Sequence, residues 1–171
     1  MNVEIRTETA DDAAAVRNVN ELAFGGDAEA RLVEMLRAAH KAVISLVALH
    51  QNRLVGHILF SPITIASSPA HFRGLGLGPL AVLPEFQSKG IGSSLMLHGL
   101  EACRRNSYDL VVVLGHTKYY PRFGFLRAKD YGLDNEYKAE DTFMVLELQS
   151  GALQKLKGLV KYSPEFHLAG C

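Results

Sequence analysis

The chain has 171 residues, and its 18 lysine and arginine residues are balanced by 18 aspartate and glutamate residues. This length suits one domain around a single hydrophobic core, and a net charge of zero gives no electrostatic field that would collect a nucleic acid or an anionic membrane surface. The longest largely apolar stretch, residues 43–49 with Ser45 as its one polar residue, is much shorter than the ~20 residues of a membrane-spanning helix. We therefore expect a cytoplasmic protein with no membrane or nucleic-acid partner.

The first quarter of the chain predicts a strand followed by two helices. Residues 3–8 alternate apolar and polar side chains, which is typical of a strand. Thr9 and Asp12 have the spacing of a capping box, and apolar residues at helical spacing follow them, so the first helix is expected to start there. Gly25 and Gly26 end this helix before a second amphipathic helix.

The next part of the chain predicts a hairpin and a kinked strand. Residues 43–50 and 54–66 favour an antiparallel hairpin, with Asn52 in the turn at positive φ. Strand character returns over residues 75–83, but Pro79 lies inside this run. Proline has no N–H to give to a strand ladder, so a kink or bulge is expected there.

The rest of the chain predicts a long helix, further strands and a short helix, which together indicate a mixed α/β fold with helices on both faces of the sheet. A strand that is connected through a helix to the next strand forms a parallel pair with it, so the strands around the long helix are expected to be parallel. The expected elements are a helix from Ile91 through Cys103, strands at 109–114 and 143–148, a short helix at 152–156 and a last strand at 159–162.

Neither the cysteines nor the histidines form a metal-binding pattern. Cys103 falls in a helical pattern and Cys171 is the last residue, so we expect two reduced thiols and no disulfide. The seven histidines include no H-x-x-x-H pair, and there is no C-x-x-C pair. We therefore expect no metal.

The segment of residues 83–94 joins the kinked strand to the long helix and carries most of the functional information. The first N–H groups of a helix lack intrahelical partners and lie at the positive end of the helix dipole, which favours an anion. Gly90 and Gly92 add backbone freedom and leave room for a phosphate to approach. The segment predicts a pyrophosphate site, and the structural alternative is a tight turn with close helix–strand packing.

Two familiar phosphate-binding motifs do not fit this segment. A P-loop has Lys-Ser or Lys-Thr directly after its last glycine, where this chain has Ser93 and Ser94. The dinucleotide-binding fingerprint has a third glycine where this chain has Leu95. Both of these nucleotide-binding classes are therefore disfavoured.

Residues 80–92, Leu-Ala-Val-Leu-Pro-Glu-Phe-Gln-Ser-Lys-Gly-Ile-Gly, resemble the Q/R-x-x-G-x-G/A motif of the GNAT superfamily of acyl-CoA-dependent N-acetyltransferases. Residues 119–125, Tyr-Tyr-Pro-Arg-Phe-Gly-Phe, resemble the Tyr-x-x-x-Gly-Phe segment of that family. The resemblance implies a single GNAT-like domain over 1–171, with a core at about 3–148 and a C-terminal helix and strand at 151–166. It also implies a central mixed, largely antiparallel twisted sheet that is splayed at its middle.

The same resemblance implies acetyl-CoA as cosubstrate. Backbone N–H groups of residues 87–93, which we call the cradle, would hold the pyrophosphate. The pantetheine arm would run along the strand before the cradle, and an N–H near Val82 would stabilise the oxyanion. The expected kink at Pro79 is an independent reason to place the pantetheine arm along this strand. A kink separates the strand from its neighbour, and the backbone groups left unpaired can bind an extended, amide-bearing ligand. The implied cofactor-binding residues are Leu80, Ala81, Val82, Gln87, Ser88, Lys89, Gly90, Ile91, Gly92 and Ser93.

The implied reaction is transfer of the acetyl group to a primary amine by direct attack in a ternary complex. An alkylamine has a pKa of about 10.4 and must lose a proton before it attacks. By resemblance, Tyr120 returns a proton to the CoA sulfur, and its alternative role is packing. Glu85 and His116 are the candidate proton acceptors, while a core role for His57 and proton transfer through a water chain remain alternatives.

Other functions remain open from the sequence alone. One alternative is a catalytically silent acyl-CoA-binding sensor or interaction module, and another is an acyltransferase with a different acyl donor. Segments 27–40 and 67–73 are expected to flank a small-molecule or peptide amine. A homodimer through the closing strands is also left open.

Overall fold

The computed structural model describes every residue, Met1–Cys171. The chain forms two compact units. The first comprises Met1–Ser61, Gly78–Ala102 and Pro164–Cys171, and the second comprises Pro62–Leu77 and Cys103–Ser163. A single domain over residues 1–171 therefore stays a prediction.

The chain contains strands, α-helices and short 3-10 helices in alternation. The strands are β1 (Glu4–Thr7), β2 (Ile44–His50), β3 (Arg53–Pro62), β4 (Thr64–Ile65), β5 (Gly74–Val82), β6 (Leu110–Leu114), β7 (Leu126–Arg127), β8 (Leu133–Asn135), β9 (Phe143–Glu147) and β10 (Gly158–Lys161). The α-helices are α1 (Ala13–Phe24), α2 (Ala28–Ala38), α3 (Ile91–Arg105), α4 (Ala152–Lys155) and α5 (Glu165–Ala169). None of the helices is long and apolar enough to cross a membrane.

Local signals set the boundaries of the first elements as predicted. Thr9 and Asp12 form the capping box before a 3-10 turn that leads into α1. Gly25 ends α1 in the left-handed conformation, at φ 74°. The β2–β3 hairpin turns through Gln51 and Asn52, at φ 49° and 63°. These predictions are confirmed.

In the first unit, the strand order is β1-β2-β3-β5, and both the β1–β2 and β2–β3 pairs are antiparallel. Helices pack on both faces of these strands. His57 of β3 contacts Asn20 of α1. Its neighbour Ile58 contacts Gly99 of α3, because side chains alternate between the faces of a strand. The predicted helices on both faces are thus present.

In the second unit, the strand order is β5-β6-β9-β7. The parallel pairing of β5 with β6 joins Gly74–Gly76 to Leu110–Val112, which confirms the parallel pair expected around the long helix. The β6–β9 pair is antiparallel. A separate sheet of β4, β10 and β8 completes this unit.

The structure differs from the sequence prediction in short elements. Strands β7 and β8 and helix α5 were not expected, because two to five residues are too few to show a period. The last strand is Gly158–Lys161 rather than residues 159–162. The 3-10 turn within residues 119–125 begins at Tyr120, since Tyr119 is already in the right-handed helical region.

Candidate functional site

The cradle segment follows the end of β5 in the first unit. Leu80 and Val82 are half-buried, whereas Ala81 is almost fully buried. Close helix–strand packing occurs at Gly56, where an added Cβ would lie 2.9 Å from Leu95 Cδ1 and 3.3 Å from the Ala81 carbonyl oxygen. Gly56 of β3, which lies outside the cradle, therefore permits close packing of this strand against α3.

The cradle itself has an unusual backbone at two exposed positions. Ser88 has φ 59° and Gly90 has φ 84°, and both lie in the left-handed region. An added Cβ at Gly90 would meet no atom within 4 Å, so this glycine borders open space. Neighbouring side chains brace the loop: Gln87 Nε2 donates to the Val82 carbonyl oxygen at 3.0 Å, and Lys89 Nζ donates to the Glu85 carbonyl oxygen at 2.8 Å.

Helix α3 begins directly after this loop. The N–H of Ser94 donates to the Gly90 carbonyl oxygen at 3.0 Å. The amides of Ile91, Gly92 and Ser93 belong to the first turn, where N–H groups have no acceptor within the helix. Ile91 is only 2% exposed and anchors this turn in the core. The amides and the helix dipole together make the loop a suitable place for an anion.

Glu85 lies in the 3-10 turn between β5 and the cradle, and its side chain is 53% exposed. Its carboxylate forms an ion pair with Arg53, with Nη2 and Oε1 2.8 Å apart. A backbone hydrogen bond within Glu85 and the hydrogen bond from Arg53 lower the pKa of this carboxyl. Glu85 is therefore ionised at neutral pH and can accept a proton, although a lowered pKa makes it a weak base.

Tyr120 is 9% exposed and begins the 3-10 helix Tyr120–Phe123 of the second unit. Its ring makes edge contacts with Tyr119 and Phe125, at centroid distances of 5.1 and 5.7 Å. Burial, with a smaller contribution from Tyr119, raises the pKa of Tyr120 to about 12. The phenol therefore keeps its proton at neutral pH. Gly124 ends the turn in the left-handed conformation, at φ 95°.

His116 is exposed and lies in the same turn as Tyr120. Its carbonyl oxygen accepts the N–H groups of Tyr119 and Tyr120 at 3.1 and 3.4 Å. The structure thus brings Tyr120 and His116 together in the second unit. Glu85 and the cradle residues lie together in the first unit.

His57 is fully buried in the first unit, which confirms that it is a core histidine. Asn20 Nδ2 lies 3.2 Å from His57 Nδ1 and also donates to the Val16 carbonyl oxygen, so Nδ1 is the acceptor. His57 Nε2 therefore carries the proton, and it lies 2.9 Å from Ser45 Oγ. The Ser45 hydroxyl in turn donates to Glu8.

Glu8 and His57 have shifted pKa values in this buried network. Burial lowers the pKa of His57. Burial alone would raise the pKa of Glu8, but the imidazole of His57, with Nε2 3.7 Å from Glu8 Oε2, the hydrogen bond from Ser45 and the charge of Arg37 lower it to about 2. The network joins four elements of the first unit and was not predicted, because its members are far apart in sequence.

Neither cysteine is an activated nucleophile. Burial raises the pKa of Cys103 to about 12. Cys171 is partly exposed, and burial again raises its pKa. A thiol of raised pKa is mostly protonated at neutral pH and is therefore a weaker nucleophile than an activated cysteine. The structure groups no three His, Cys, Asp or Glu side chains that could hold a metal ion.

Comparisons with known proteins agree with this architecture. The profile of the acetyltransferase (GNAT) domain family matches residues 4–128. The uncharacterized N-acetyltransferase YhbS of Escherichia coli is 32% identical over 165 residues, which cover 95% of this chain and 98% of YhbS. The uncharacterized N-acetyltransferase YjhQ of Escherichia coli is 41% identical over 116 residues, which cover 67% of this chain and 64% of YjhQ.

Two solved structures share the fold. The crystal structure of Escherichia coli YhbS in complex with CoA matches with a TM-score of 0.91 at 31% identity, covering 98% of this chain and 93% of that one. A GNAT family acetyltransferase from Brucella melitensis in complex with acetyl-CoA matches with a TM-score of 0.80 at 34% identity, covering 96% of this chain and 98% of that one. The predicted mixed α/β class and GNAT-like fold are confirmed, and the chain belongs to the GNAT family of acetyltransferases.

Proposed function

We propose that the chain transfers the acetyl group of acetyl-CoA to a primary amine by direct attack in a ternary complex. The observation that carries this proposal is the cradle before α3, where Gly90 takes φ 84° beside open space. YhbS in complex with CoA and the Brucella melitensis protein in complex with acetyl-CoA support the choice of cosubstrate. No metal enters this proposal.

The cradle residues suit the charged part of coenzyme A. The first-turn amides of α3 have no acceptor within the helix and can donate to an anion, and a side chain at Gly90 would fill the space that a phosphate needs. The braces from Gln87 and Lys89 hold the loop in place before the ligand arrives. We propose that residues 87–93 hold the pyrophosphate and that Leu80, Ala81 and Val82 carry the pantetheine arm.

The chain has a proton donor suited to a thiolate leaving group. Acetyl-CoA supplies an activated acetyl thioester, so alignment by the protein is expected to contribute most of the rate, roughly 7–11 kcal/mol. Tyr120 keeps its proton at neutral pH because burial raises its pKa. We propose Tyr120 as the acid that returns a proton to the sulfur.

The proton acceptor has two candidates on this chain. We propose Glu85, because it adjoins the cradle and is ionised at neutral pH. His116 is the second candidate, since its side chain is exposed to solvent. A water chain that reaches solvent could also take the proton from the amine.

The acceptor that we propose is a small-molecule or peptide amine, in line with the absence of net charge. Two unpaired thiols fit a reducing compartment, so we propose a cytoplasmic enzyme. The chain's acceptor can be searched with a panel of polyamines, amino acids, aminoglycosides and peptides with free N-termini. Release of CoA that depends on both acetyl-CoA and the amine would support the proposal.

The variant Tyr120→Phe tests the proposed mechanism. Loss of a general acid should lower kcat by about 10²-fold or more, while CoA affinity measured by calorimetry stays unchanged. An unchanged kcat would remove Tyr120 from the reaction. If the wild-type chain binds acetyl-CoA but acetylates no amine in the panel, it is a silent acyl-CoA-binding sensor or interaction module.

A further inference from the structure

Helix α5 brings an aromatic ring to β5 at the point where this strand enters the first unit. Phe166 of α5 is 7% exposed. A Cβ added at Gly78 would lie 3.8 Å from Phe166 Cε1, which is ordinary van der Waals contact. Gly78 carries no side chain, so the ring of Phe166 bounds a space beside the strand backbone that is about one methyl group wide.

The position of the Phe166 ring along β5 indicates which part of the acyl donor it would face, and this step rests on the function proposed above. The cradle follows β5, so a pantetheine arm that leaves it runs back along the strand past Val82 and Leu80 toward Gly78. A strand rises about 3.3 Å per residue, so Val82 and Gly78 are separated by about 13 Å. The acyl end of the donor would then be the part nearest to Gly78 and Phe166, farther along the strand than the N–H near Val82 that the family resemblance implies for the oxyanion.

Both ends of α5 are fixed to the region of α2. At the first end, Lys41 Nζ forms an ion pair with Glu165 Oε1 at 2.9 Å, and the Glu165 side chain is only 13% exposed. At the other end, Arg31 Nη2 donates to the Ala169 carbonyl oxygen at 3.0 Å. A helix held at both ends keeps its central aromatic side chain in one place.

We propose that Phe166 closes the acyl end of the donor site and restricts the donor to short acyl chains such as acetyl. The ring lies at contact distance from a single carbon added at Gly78, so the space beside the strand ends about one methyl group from the backbone. Interiors of proteins are close-packed, so a longer acyl chain finds no further room behind the ring. A longer acyl chain has to displace this ring or pull α5 away from Lys41 and Arg31. Truncation of the ring would leave an apolar space, and such a space stays dry and accepts an apolar guest.

The variants Phe166→Ala and Phe166→Leu test this with acetyl-, propionyl- and butyryl-CoA. We expect Phe166→Ala to raise the ratio of kcat/KM for butyryl-CoA to that for acetyl-CoA by about 10-fold or more, since one methylene in an apolar pocket is worth at least about 10-fold. Phe166→Leu should give a smaller rise in this ratio, and it provides the measurement if Phe166→Ala does not fold. Calorimetric affinities for the same thioesters should shift in the same direction.

Two controls separate this role from simple loss of packing. Leu168→Ala changes the same helix at a side chain that is 73% exposed and should leave the ratio unchanged. Phe143→Leu changes a phenylalanine that is 1% exposed in the second unit, and it should cost stability without changing the ratio. An unchanged ratio in a folded Phe166 variant overturns the inference and leaves acetyl transfer standing. A wild-type chain that binds no acyl-CoA overturns the proposed function and this inference with it.

Discussion

The ring of Tyr120 lies directly against Gly115: a Cβ added at Gly115 would come within 2.2 Å of Tyr120 Cε2. No real side chain is tolerated at that distance, so the glycine is a condition for the observed position of the ring. Gly115 follows β6, the strand that leads into the Tyr120 turn. The placement of the proposed acid thus depends on a missing side chain five positions earlier in the sequence.

Gly115→Ala should therefore displace Tyr120. We expect a loss of kcat comparable with that of Tyr120→Phe, unchanged CoA affinity, and a loss of about 1–3 kcal/mol in the free energy of unfolding from overpacking. Steady-state kinetics and urea denaturation measure the two effects. Gly26→Ala is the matched control, because an added Cβ there meets nothing within 4 Å. A kcat of Gly115→Ala equal to that of the wild type would show that the position of Tyr120 does not affect catalysis.

Gly90→Val should abolish much of the coenzyme affinity. The substitution strains a residue at φ 84° and fills open space in the cradle. We expect CoA binding to weaken by about 10-fold or more, as for the loss of one hydrogen bond to a charged group. Isothermal titration calorimetry measures the change.

Gly151→Val is the control for this strain. Gly151 has φ 86° and also meets nothing within 4 Å, but it lies in the second unit, before α4. Both variants should lose similar stability, and Gly90→Val alone should lose CoA affinity. Equal CoA affinities in Gly90→Val and Gly151→Val would refute the proposal that the cradle binds CoA.

The buried network of Glu8, Ser45 and His57 predicts acid lability. The pKa of His57 is lowered from 6.5 in the folded chain, so its contribution to stability is present above pH 6.5 and is lost as the pH falls further. The pKa of Glu8 falls from 4.5 to about 2 on folding, so its contribution is present above pH 4.5 and is lost as the pH falls toward 2. Both groups destabilise the chain in acid.

Urea denaturation at pH 7.5, 6.0 and 5.0 should show that the free energy of unfolding falls with pH. His57→Gln is expected to be less stable at pH 7.5 and to lose less stability between pH 6.5 and 5. His116→Gln should follow the wild-type curve, since this side chain is exposed. Parallel curves for His57→Gln and wild type would show that His57 does not control the decline.

The ion pair of Arg53 with Glu85 offers a test of the proposed base. Removing the guanidinium in Arg53→Gln should raise the pKa of Glu85, because this arginine is one of the causes that lower it. If Glu85 accepts the proton, the acidic limb of the kcat/KM profile moves to higher pH. A limb that stays in place in Arg53→Gln but disappears in His116→Gln would assign the role to His116.

Much of the fold was readable from short-range signals. The capping box of Thr9 and Asp12, the left-handed Gly25 and the hairpin turn at Asn52 each depend on a few neighbouring residues, and each appears as predicted. The strand–helix junction that contains the proposed cradle could be predicted for the same reason, since residues 80–93 form one continuous segment from the end of β5 into α3. Local chemistry is enough to place such a segment.

Contacts between residues that are far apart in the sequence could not be predicted. The contact of Phe166 with Gly78 joins positions separated by much of the second unit in sequence, and helix α5 is too short to show a helical period. The pairing of Glu8 with Ser45 and His57 depends on how three elements meet. Such contacts follow from tertiary packing, which no local pattern encodes.

The state of the two thiols decides how activity is best assayed. A chromogenic disulfide reagent that titrates liberated coenzyme would also react with accessible cysteines of the protein. Cys103 is buried and protonated, so it should contribute no colour in the folded enzyme. Only Cys171 is partly exposed, and Cys171→Ser would provide an enzyme with a flat optical baseline for screening amines.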